Sequence, residues 1–270
     1  MTIPCVLTIA ASDPSGAAGV QADLKTFEAR QVYGLSAITA LSVQNSTRVY
    51  SLKIMEASFV AEQIKALTDD IAISAFKTGM LLRPDIIEVV EQTLIAQPNR
   101  PAIIDPVFVA GDGRRFVSDE TIEAYKTRLF PRATLITPNL DEATILTGQP
   151  VTDVAAMREA AKRLHDLGVA HVLVKGGHLP DSSQIVDVLY DGQTCHEFAA
   201  AHLPVQNPRG TGCTFASCIA AELAKGAALL DAVATAKFYV TEALNGALGW
   251  QIGQGRGTLF HSVGRPPIRE

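Results

Sequence analysis

The sequence predicts an α/β fold with a mostly parallel central sheet and helices on both faces. Short apolar runs alternate with amphipathic stretches along the chain, as repeated βαβ units require. Hydrophobic residues make up 47% of the chain but aromatic residues only 6%, so small and branched side chains must build the core. Such side chains suit strands that are buried on both faces. The 270 residues suit one large α/β domain, so we expect a single domain over 1–270.

The first half of the chain opens with its clearest strand. Residues 6–11 form a continuous apolar run, which predicts a buried strand, and residues 12–16 have loop chemistry. A helical pattern follows over residues 17–30. The further strands predicted are 35–43, 73–78, 102–105 and 134–137. The further helices predicted are 57–67, 85–96, 118–129 and 139–146.

The second half repeats this alternation. The helices predicted are 154–167, 214–225 and 230–248. Residues 171–175 predict a strand, and Asp191-Gly192 predicts the turn of a hairpin formed by 185–190 and 194–199. Because ligands of such folds bind beyond the carboxyl ends of the strands, we expect functional residues just after the strands.

Charge and cysteine content exclude several classes of protein. The net charge of −5, without a Lys or Arg cluster, argues against a nucleic-acid partner. The cysteines form no C-x-x-C pair, which argues against a zinc site and a disulfide scaffold and favours a reducing compartment. We find neither a signal-peptide pattern nor an uninterrupted apolar stretch of spanning length. We therefore expect a cytoplasmic protein without a membrane segment.

The segment Pro208-Arg209-Gly210-Thr211-Gly212-Cys213, preceded by Asn207, leads directly into a predicted helix. Two glycines let the backbone approach an anion closely, and the N–H groups of a helix start favour a phosphoryl group. The Walker A pattern is absent, which disfavours a P-loop NTPase. On spacing alone, a glycine-rich helix start that binds no ligand is an equal alternative.

Cys213 lies in the first turn of that helix. A helix N-terminus lowers the pKa of a thiol, so Cys213 is a candidate base for an attacking alcohol. The alternative is a small cysteine that only lines the core, which is the usual place of an unpaired cysteine.

Seven segments together resemble one known family. They are residues 8–25, 43–45, 77–80, 105–107, 137–143, 175–178 and 210–214. They follow the order found in hydroxymethylpyrimidine/phosphomethylpyrimidine kinases, which belong to the ribokinase-like superfamily. Each segment is weak alone, but the set covers nearly the whole chain and is specific.

The resemblance implies a ribokinase-like fold, ATP and Mg²⁺, and two successive phosphorylations in thiamine biosynthesis. The acceptors would be an aminopyrimidine alcohol and then its monophosphate. By position, the pyrimidine pocket would contain Asp23, Gln44, Val107, Met80 and Ala11. The ATP phosphates would meet Gly210, Thr211, Gly212, Lys175 and Lys237, with Cys213 as the catalytic residue. The family also suggests a homodimer.

The residue types at two of these positions suit a nitrogen ring. A Gln amide offers a donor and an acceptor to an amino group beside a ring nitrogen, so Gln44 would bind that edge with two hydrogen bonds. Asp23 would accept hydrogen bonds from ligand donors. The alternatives are a solvent-facing residue at a strand end for Gln44 and a solvated helix charge for Asp23.

Asn139-x-x-Glu142 places two oxygen-bearing side chains on one face of a short helix. In the family this element organises Mg²⁺, often through water, and Asp105 would assist it. The alternative is an ordinary helix start with Asn139 as its cap. Lys175 would neutralise charge on the transferred phosphoryl group, or would be a surface lysine at a strand end.

Some positions depart from the usual family pattern. Ala11 stands where the family often has Gly, Arg209 stands where His is common, and 110–113 lack a usual lysine. Relatives with similar Gly-Thr-Gly-Cys loops phosphorylate B6 vitamers, so a vitamin B6 kinase is the nearest alternative. A non-catalytic pyrimidine sensor is a further one. A Rossmann dehydrogenase is disfavoured because the Gly-x-Gly-x-x-Gly opening is missing.

Overall fold

The computed structural model describes residues 3–109, 113, 115–177, 179, 184–205 and 208–264. Within the motifs quoted above, residues 110–112, His178 and Asn207 lie outside the described residues.

The described residues form a sheet of nine strands. In chain order they are β1 (Cys5–Ser12), β2 (Tyr33–Gln44), β3 (Val49–Ile54), β4 (Ala75–Thr78), β5 (Ala102–Ile104), β6 (Leu135–Ile136), β7 (Val172–Val174), β8 (Gln184–Tyr190) and β9 (Cys195–Ala201). Their order across the sheet is β3-β2-β1-β4-β5-β6-β7-β8-β9. The six neighbouring strands β2, β1, β4, β5, β6 and β7 pair in parallel. At the edges of the sheet, β3, β8 and β9 pair antiparallel. The predicted mostly parallel α/β sheet is confirmed.

Helices cover both faces of this sheet. They are α1 (Gly19–Ala29), α2 (Ala57–Thr68), α3 (Pro84–Ala96), α4 (Asp119–Ala124), α5 (Leu140–Thr147), α6 (Val154–His165), α7 (Thr211–Ala224) and α8 (Leu229–Asn245). The helix predicted over 118–129 is divided in the structure: α4 ends at Ala124, and a π-helical turn over Tyr125–Leu129 continues it. Helix α7 begins three residues earlier than predicted, and α8 ends three residues earlier. Within the described residues, no helix combines the length and apolar character needed to cross a bilayer.

The core consists of two layers separated by the sheet. In β7, Val172 and Val174 pack in one layer and Leu173 in the other, because successive side chains of a strand point to opposite faces. Helices α2 to α6 contribute to the first layer, whereas α1, α7 and α8 contribute to the second. Burial on both faces explains why the strands are continuous apolar runs.

Strand β3 was not predicted from the sequence, yet it shapes the site. It pairs antiparallel with the outer half of β2, from Ala40–Ile54 to Gln44–Val49. This pairing supports β2 beyond the body of the sheet, so that the strand carries Gln44 to the edge where the parallel strands end. The loops after β5, β6 and β7 bring Asp105, Asn139 and Lys175 to the same edge.

Candidate active site

Two adjoining cavities open at the carboxyl edge of the sheet. The first has a volume of about 470 Å³ and the second about 310 Å³. Their walls share Asn139, Lys175, Pro208, Thr211 and Gly212. One ligand in each cavity would therefore meet the other at the start of α7.

The start of α7 forms a cup of backbone N–H groups, which we call the anion cup and define as Gly210 to Cys213. Thr214 is the first residue whose N–H bonds back into the helix, to the Gly210 carbonyl at 2.9 Å. The N–H groups before it have no intrahelical acceptor and carry the positive end of the helix dipole. Gly210 has φ +83°, and a Cβ there would lie 1.8 Å from the Ala17 carbonyl oxygen. Only glycine fits this position.

Lys175 places its ammonium group directly beside the anion cup. A Cβ on Gly212 would lie 3.0 Å from Lys175 Nζ, and Nζ donates to Asp105 Oδ1 at 2.8 Å. The lysine side chain is only 14% exposed, so the surface-lysine alternative does not apply. Burial alone would lower the pKa of Lys175, but the carboxylates of Asp105 and Glu142 outweigh it and raise that pKa. The ammonium group is therefore charged and already oriented towards the cup.

Asn139 and Glu142 form a reciprocal cap at the start of α5. Asn139 Oδ1 accepts from the Glu142 N–H at 2.8 Å, and Glu142 Oε2 accepts from the Asn139 N–H at 2.9 Å. Glu142 Oε1 also accepts from the Phe108 N–H at 3.3 Å. Both side chains nevertheless line the first cavity, so the capping role and the predicted site role occur together.

The acidic groups here suit a hydrated divalent cation. Burial and the nearby charge of Asp105 raise the pKa of Glu142 to about 8, although Lys175 opposes this. A cation would favour the ionised carboxylate, and carboxylate oxygens are ligands that Mg²⁺ prefers. In the described part of the chain, no three His, Cys, Asp or Glu side chains cluster as a metal cage. Asp105, Asn139 and Glu142 line the first cavity, and their oxygen atoms fit an ion that keeps several of its waters.

The first cavity contains most of the predicted pyrimidine residues. Gln44, Ala11, Met80 and Val107 all line it, and so does Cys213. The thiol and the Gln44 amide thus face one space rather than two. One ligand in this cavity can therefore contact both residues.

The prediction that the helix start lowers the pKa of Cys213 is wrong. Burial raises the pKa of this thiol to about 11, and Asp23 and Asp105 add to the effect. The Lys77 charge and a hydrogen bond at the Gly19 backbone oppose the rise without cancelling it. The thiol is consequently protonated at neutral pH in the free protein.

Asp23 lies beneath the first cavity rather than in its wall. Its side chain is fully buried and both carboxylate oxygens accept from Lys77 Nζ at 2.9 Å. Thr8 and Ser217 donate to the same carboxylate at 2.6 and 2.7 Å. The carboxylate is thus occupied by protein donors, which excludes the solvated helix charge and leaves no free oxygen for a ligand.

Lys237 lines the second cavity, but its ammonium group is already paired. It donates to Asp187 Oδ2 at 2.8 Å and to the Ile185 carbonyl at 2.9 Å. Asp187 Oδ1 in turn accepts from the Gly176 N–H at 2.8 Å. Lys237 therefore supports the turn that follows β7, whatever contact it makes with a ligand.

Three further residues of the site were not given a role from the sequence. Lys77 and Asp187 are charged residues within otherwise apolar strand segments, and that anomaly was a usable signal. Asp13 is only 2% exposed and lines the first cavity. Its loop position gave no sign of its burial.

The anion cup and the Lys175 ammonium lie where two cavities meet, which suits phosphoryl transfer between two small molecules, as in a small-molecule kinase. Comparison with known proteins specifies which kind. The chain belongs to the phosphomethylpyrimidine kinase family, whose model matches residues 13–260.

Individual relatives agree with this family. The chain is 45% identical over 264 residues to the chloroplastic thiamine biosynthetic bifunctional enzyme TH1 of Arabidopsis thaliana, covering 97% of this chain but only about half, 51%, of that protein. It is 39% identical to the hydroxymethylpyrimidine/phosphomethylpyrimidine kinase of Bacillus subtilis, covering 97% of this chain and 96% of the relative. Among solved structures, the ADP complex of Bacillus subtilis pyridoxal kinase superposes with a TM-score of 0.88 at 37% identity, covering 97% and 98% of the two chains.

Proposed function

We propose that this protein transfers the γ-phosphoryl group of ATP to 4-amino-5-hydroxymethyl-2-methylpyrimidine, and then to the resulting monophosphate, in thiamine biosynthesis. The observation that carries the proposal is the shared cavity of Gln44 and Cys213, which meets a second cavity at the anion cup. The family membership and the names of the relatives support the same chemistry.

The first cavity is suited to a flat ring with polar edges. Gln44 offers an amide to an amino group and an adjacent ring nitrogen, while Ala11, Met80 and Val107 provide apolar walls. The hydroxymethyl group of such a ring would then point towards Cys213 and the cup.

The second cavity is suited to the nucleotide. Its apolar wall comprises Leu203, Val205, Phe215, Val240 and Leu244. Apolar surfaces of this kind pack against a purine, and the shared wall at Thr211 and Gly212 is where the phosphates would reach the cup. The structural relative solved as an ADP complex supports nucleotide binding in general.

The reaction is an in-line displacement at the γ-phosphorus. The acceptor oxygen bonds to that phosphorus as the bond to the β–γ bridging oxygen breaks, and ADP leaves with the electron pair. The amides of the cup and the Lys175 ammonium neutralise charge on the transferred group. The alcohol must also lose a proton. We assign the role of proton acceptor to Cys213 in its thiolate form. The monophosphate oxygen is already largely ionised near neutral pH and needs no such base.

Mg²⁺ would be held beside the phosphates by Asp105, Glu142 and Asn139, mostly through water. When bound, it would supply positive charge that offsets the charge of the phosphates. The protein contributes the pre-formed cap of α5, which orients the Glu142 carboxylate before any ion arrives.

Three broader assignments accompany the proposal. One domain spans 1–270, and the protein acts in the cytoplasm, in keeping with the unpaired state of Cys5, Cys195, Cys213 and Cys218. The protein is a homodimer. The exposed apolar side chains of Leu41, Val43 and Tyr50 on the β2–β3 pair form a suitable contact face.

Turnover with separated products tests the function directly. The purified protein is incubated with ATP, Mg²⁺ and the pyrimidine alcohol, and the mono- and diphosphate are quantified against time. We expect both products, formed in that order. Pyridoxal serves as the competing acceptor, because one close structural relative is a pyridoxal kinase. A higher kcat/KM for pyridoxal would overturn the proposal in favour of a vitamin B6 kinase.

A further inference from the structure

Arg209 comes directly before the anion cup, but its guanidinium points into a different part of the site. Nη2 donates to Asp13 Oδ2 at 2.9 Å. Nη1 donates to Ser15 Oγ and to the Asn45 carbonyl, both at 2.9 Å. The side chain is only 15% exposed, so these are shielded, charge-assisted contacts rather than loose surface ones.

Asp13 is the buried partner in this set of contacts. Its carboxylate is only 2% exposed and accepts from the Ser15 N–H at 2.9 Å, the Ser15 hydroxyl at 2.7 Å and the Ala18 N–H at 2.9 Å. Burial alone would raise the pKa of Asp13, but hydrogen bonds from Ser15 and Gln44 and the charge of Arg209 outweigh it. The carboxylate is therefore ionised, and Arg209 supplies its countercharge.

Gln44 lies beside this group of contacts: it lines the first cavity together with Asp13, and it directly precedes Asn45 in the chain. A hydrogen bond from Gln44 is also among the causes that lower the pKa of Asp13. Because an ionised carboxylate only accepts, the NH₂ group of Gln44 is the donor in that contact, and its carbonyl oxygen is left for a ligand. Arg209 also holds the carbonyl of Asn45, the next residue along the chain, which steadies the end of β2.

Arg209 also connects this region to the phosphate side. Its backbone N–H donates to the Gly257 carbonyl at 3.0 Å, and Gly210 follows it in the cup. The neighbouring Arg256 N–H donates to the Ser46 carbonyl at 3.1 Å. One residue thus joins the first loop, the β2–β3 turn, the C-terminal segment and the anion cup.

We propose that Arg209 is a positioning residue for the acceptor substrate. Through Asp13 and Asn45 it holds the Gln44 amide in the orientation that matches a ring carrying an amino donor beside a nitrogen acceptor. This inference rests on the proposed function and names the residue that sets the specificity of its ring pocket. A planar guanidinium reaches three acceptors at once, whereas a lysine ammonium at the end of a flexible chain does not hold them in that geometry.

The test is a double-mutant cycle between Arg209→Lys and Gln44→Ala. Arg209→Lys keeps the charge, so a loss cannot come from the net field alone. We expect it to raise the KM for the pyrimidine alcohol about tenfold, while the KM for ATP changes less than about twofold. In the Gln44→Ala background, Arg209→Lys should cause little further rise, because the amide that it positions is gone. Calorimetric binding of the pyrimidine without ATP should show the same pattern.

Arg128→Lys is the matched control. Arg128 is an arginine in an ion pair with Glu91 at 2.8 Å, and it lines neither of the two cavities. It should leave both KM values unchanged. Equal rises in the two KM values with Arg209→Lys, or additive effects in the cycle, would overturn the inference while the proposed function stands. Failure of the unaltered protein to phosphorylate any pyrimidine would overturn both.

Discussion

At the scale of single residues, burial decides what the charged and nucleophilic groups of this site can do. Cys213 lies at a helix start, a place that favours a thiolate, yet burial raises its pKa to about 11 although the residue lines a cavity. Lys77 beneath it opposes that effect and is itself held by Asp23 at 2.9 Å. The protonation state of Cys213 is therefore set by packing rather than by its position in the sequence.

The proposed base role of Cys213 makes the two phosphorylations differ. Cys213→Ala should slow the alcohol step by about a hundredfold or more, the usual contribution of a general base, and the monophosphate step much less. In the unaltered protein the alcohol step should also speed up as the pH rises from about 6.5 to 9, because more thiolate forms below a pKa of about 11. Separate single-turnover measurements on the two acceptors check both expectations.

Cys213→Ser is the control for size, because it keeps a small polar side chain but no accessible anion. It should resemble the alanine variant in the alcohol step. Equal losses in the two steps would mean that Cys213 only positions the acceptor.

At the scale of elements, the start of α7 depends on one backbone conformation. Gly210 precedes the helix with φ +83°, and the Ala17 carbonyl oxygen lies 1.8 Å from the place of a Cβ. The contact is with backbone, which cannot rotate away as a side chain can. The cup and the first loop are therefore packed against each other through this glycine.

Gly210→Ala should disturb both stability and phosphoryl transfer. Forcing a side chain into a left-handed conformation costs about 1–2 kcal/mol, and the overlap with Ala17 adds to that. We expect a clear fall in the free energy of unfolding, measured with urea. We also expect kcat to fall by more than the fraction of folded protein falls.

Gly226→Ala is a control from the other end of the same helix. Gly226 has φ +89°, so a side chain there has the same conformational cost, but no atom of the described residues lies within 4 Å of its Cβ position. We expect Gly226→Ala to lower the free energy of unfolding but to leave kcat, calculated per folded molecule, unchanged. Similar kcat losses in the two variants would show that the cup does not depend on the close approach at Gly210.

At the scale of the whole molecule, the segment around His261 packs against α7 and α8. His261 is 7% exposed, and its Nε2 lies 3.0 Å from the Thr214 hydroxyl, one residue beyond the anion cup. Tyr239 of α8 donates to the His261 carbonyl at 2.6 Å. Burial and the charge of Lys25 lower the pKa of His261 from 6.5 to about 4.

This pKa predicts how stability changes with pH. Between pH values of about 6.5 and 4, the unfolded chain binds a proton at His261 that the folded chain does not bind. The stabilisation is therefore complete above 6.5 and is lost as the pH falls towards 4. At neutral pH, the free energy of unfolding of the unaltered protein should exceed that of His261→Asn by about 1 kcal/mol or more. The difference between the two proteins should become smaller in acid.

His202→Asn is the comparison, since His202 is an exposed histidine. Urea unfolding of the three proteins across this pH range gives the answer. A difference for His261→Asn that stays constant with pH, or an equal trend for His202→Asn, would contradict the prediction.

Much of the fold follows from local patterns. Continuous apolar runs such as 6–11 and 102–105 could be recognised as strands because burial on both faces leaves no polar alternation. β3 alternates more weakly and has half-buried and exposed side chains, so its pairing with β2 was missed. The helix over 118–129 was placed correctly, but its change to a π-helical turn at Tyr125 has no local signal.

The sequence by itself determined the parallel sheet, the family and the loops that meet at its carboxyl edge, because apolar runs, glycines and strand ends are local features. Only the tertiary structure decided that Asp23 lies below the pocket, that the Cys213 thiol is protonated, and that Arg209 contacts Asp13. Those outcomes depend on burial and on contacts between distant parts of the chain, 196 residues apart for Arg209 and Asp13. Solvent exclusion and long-range packing arise only when the chain is folded, so residue spacing does not encode them in readable form.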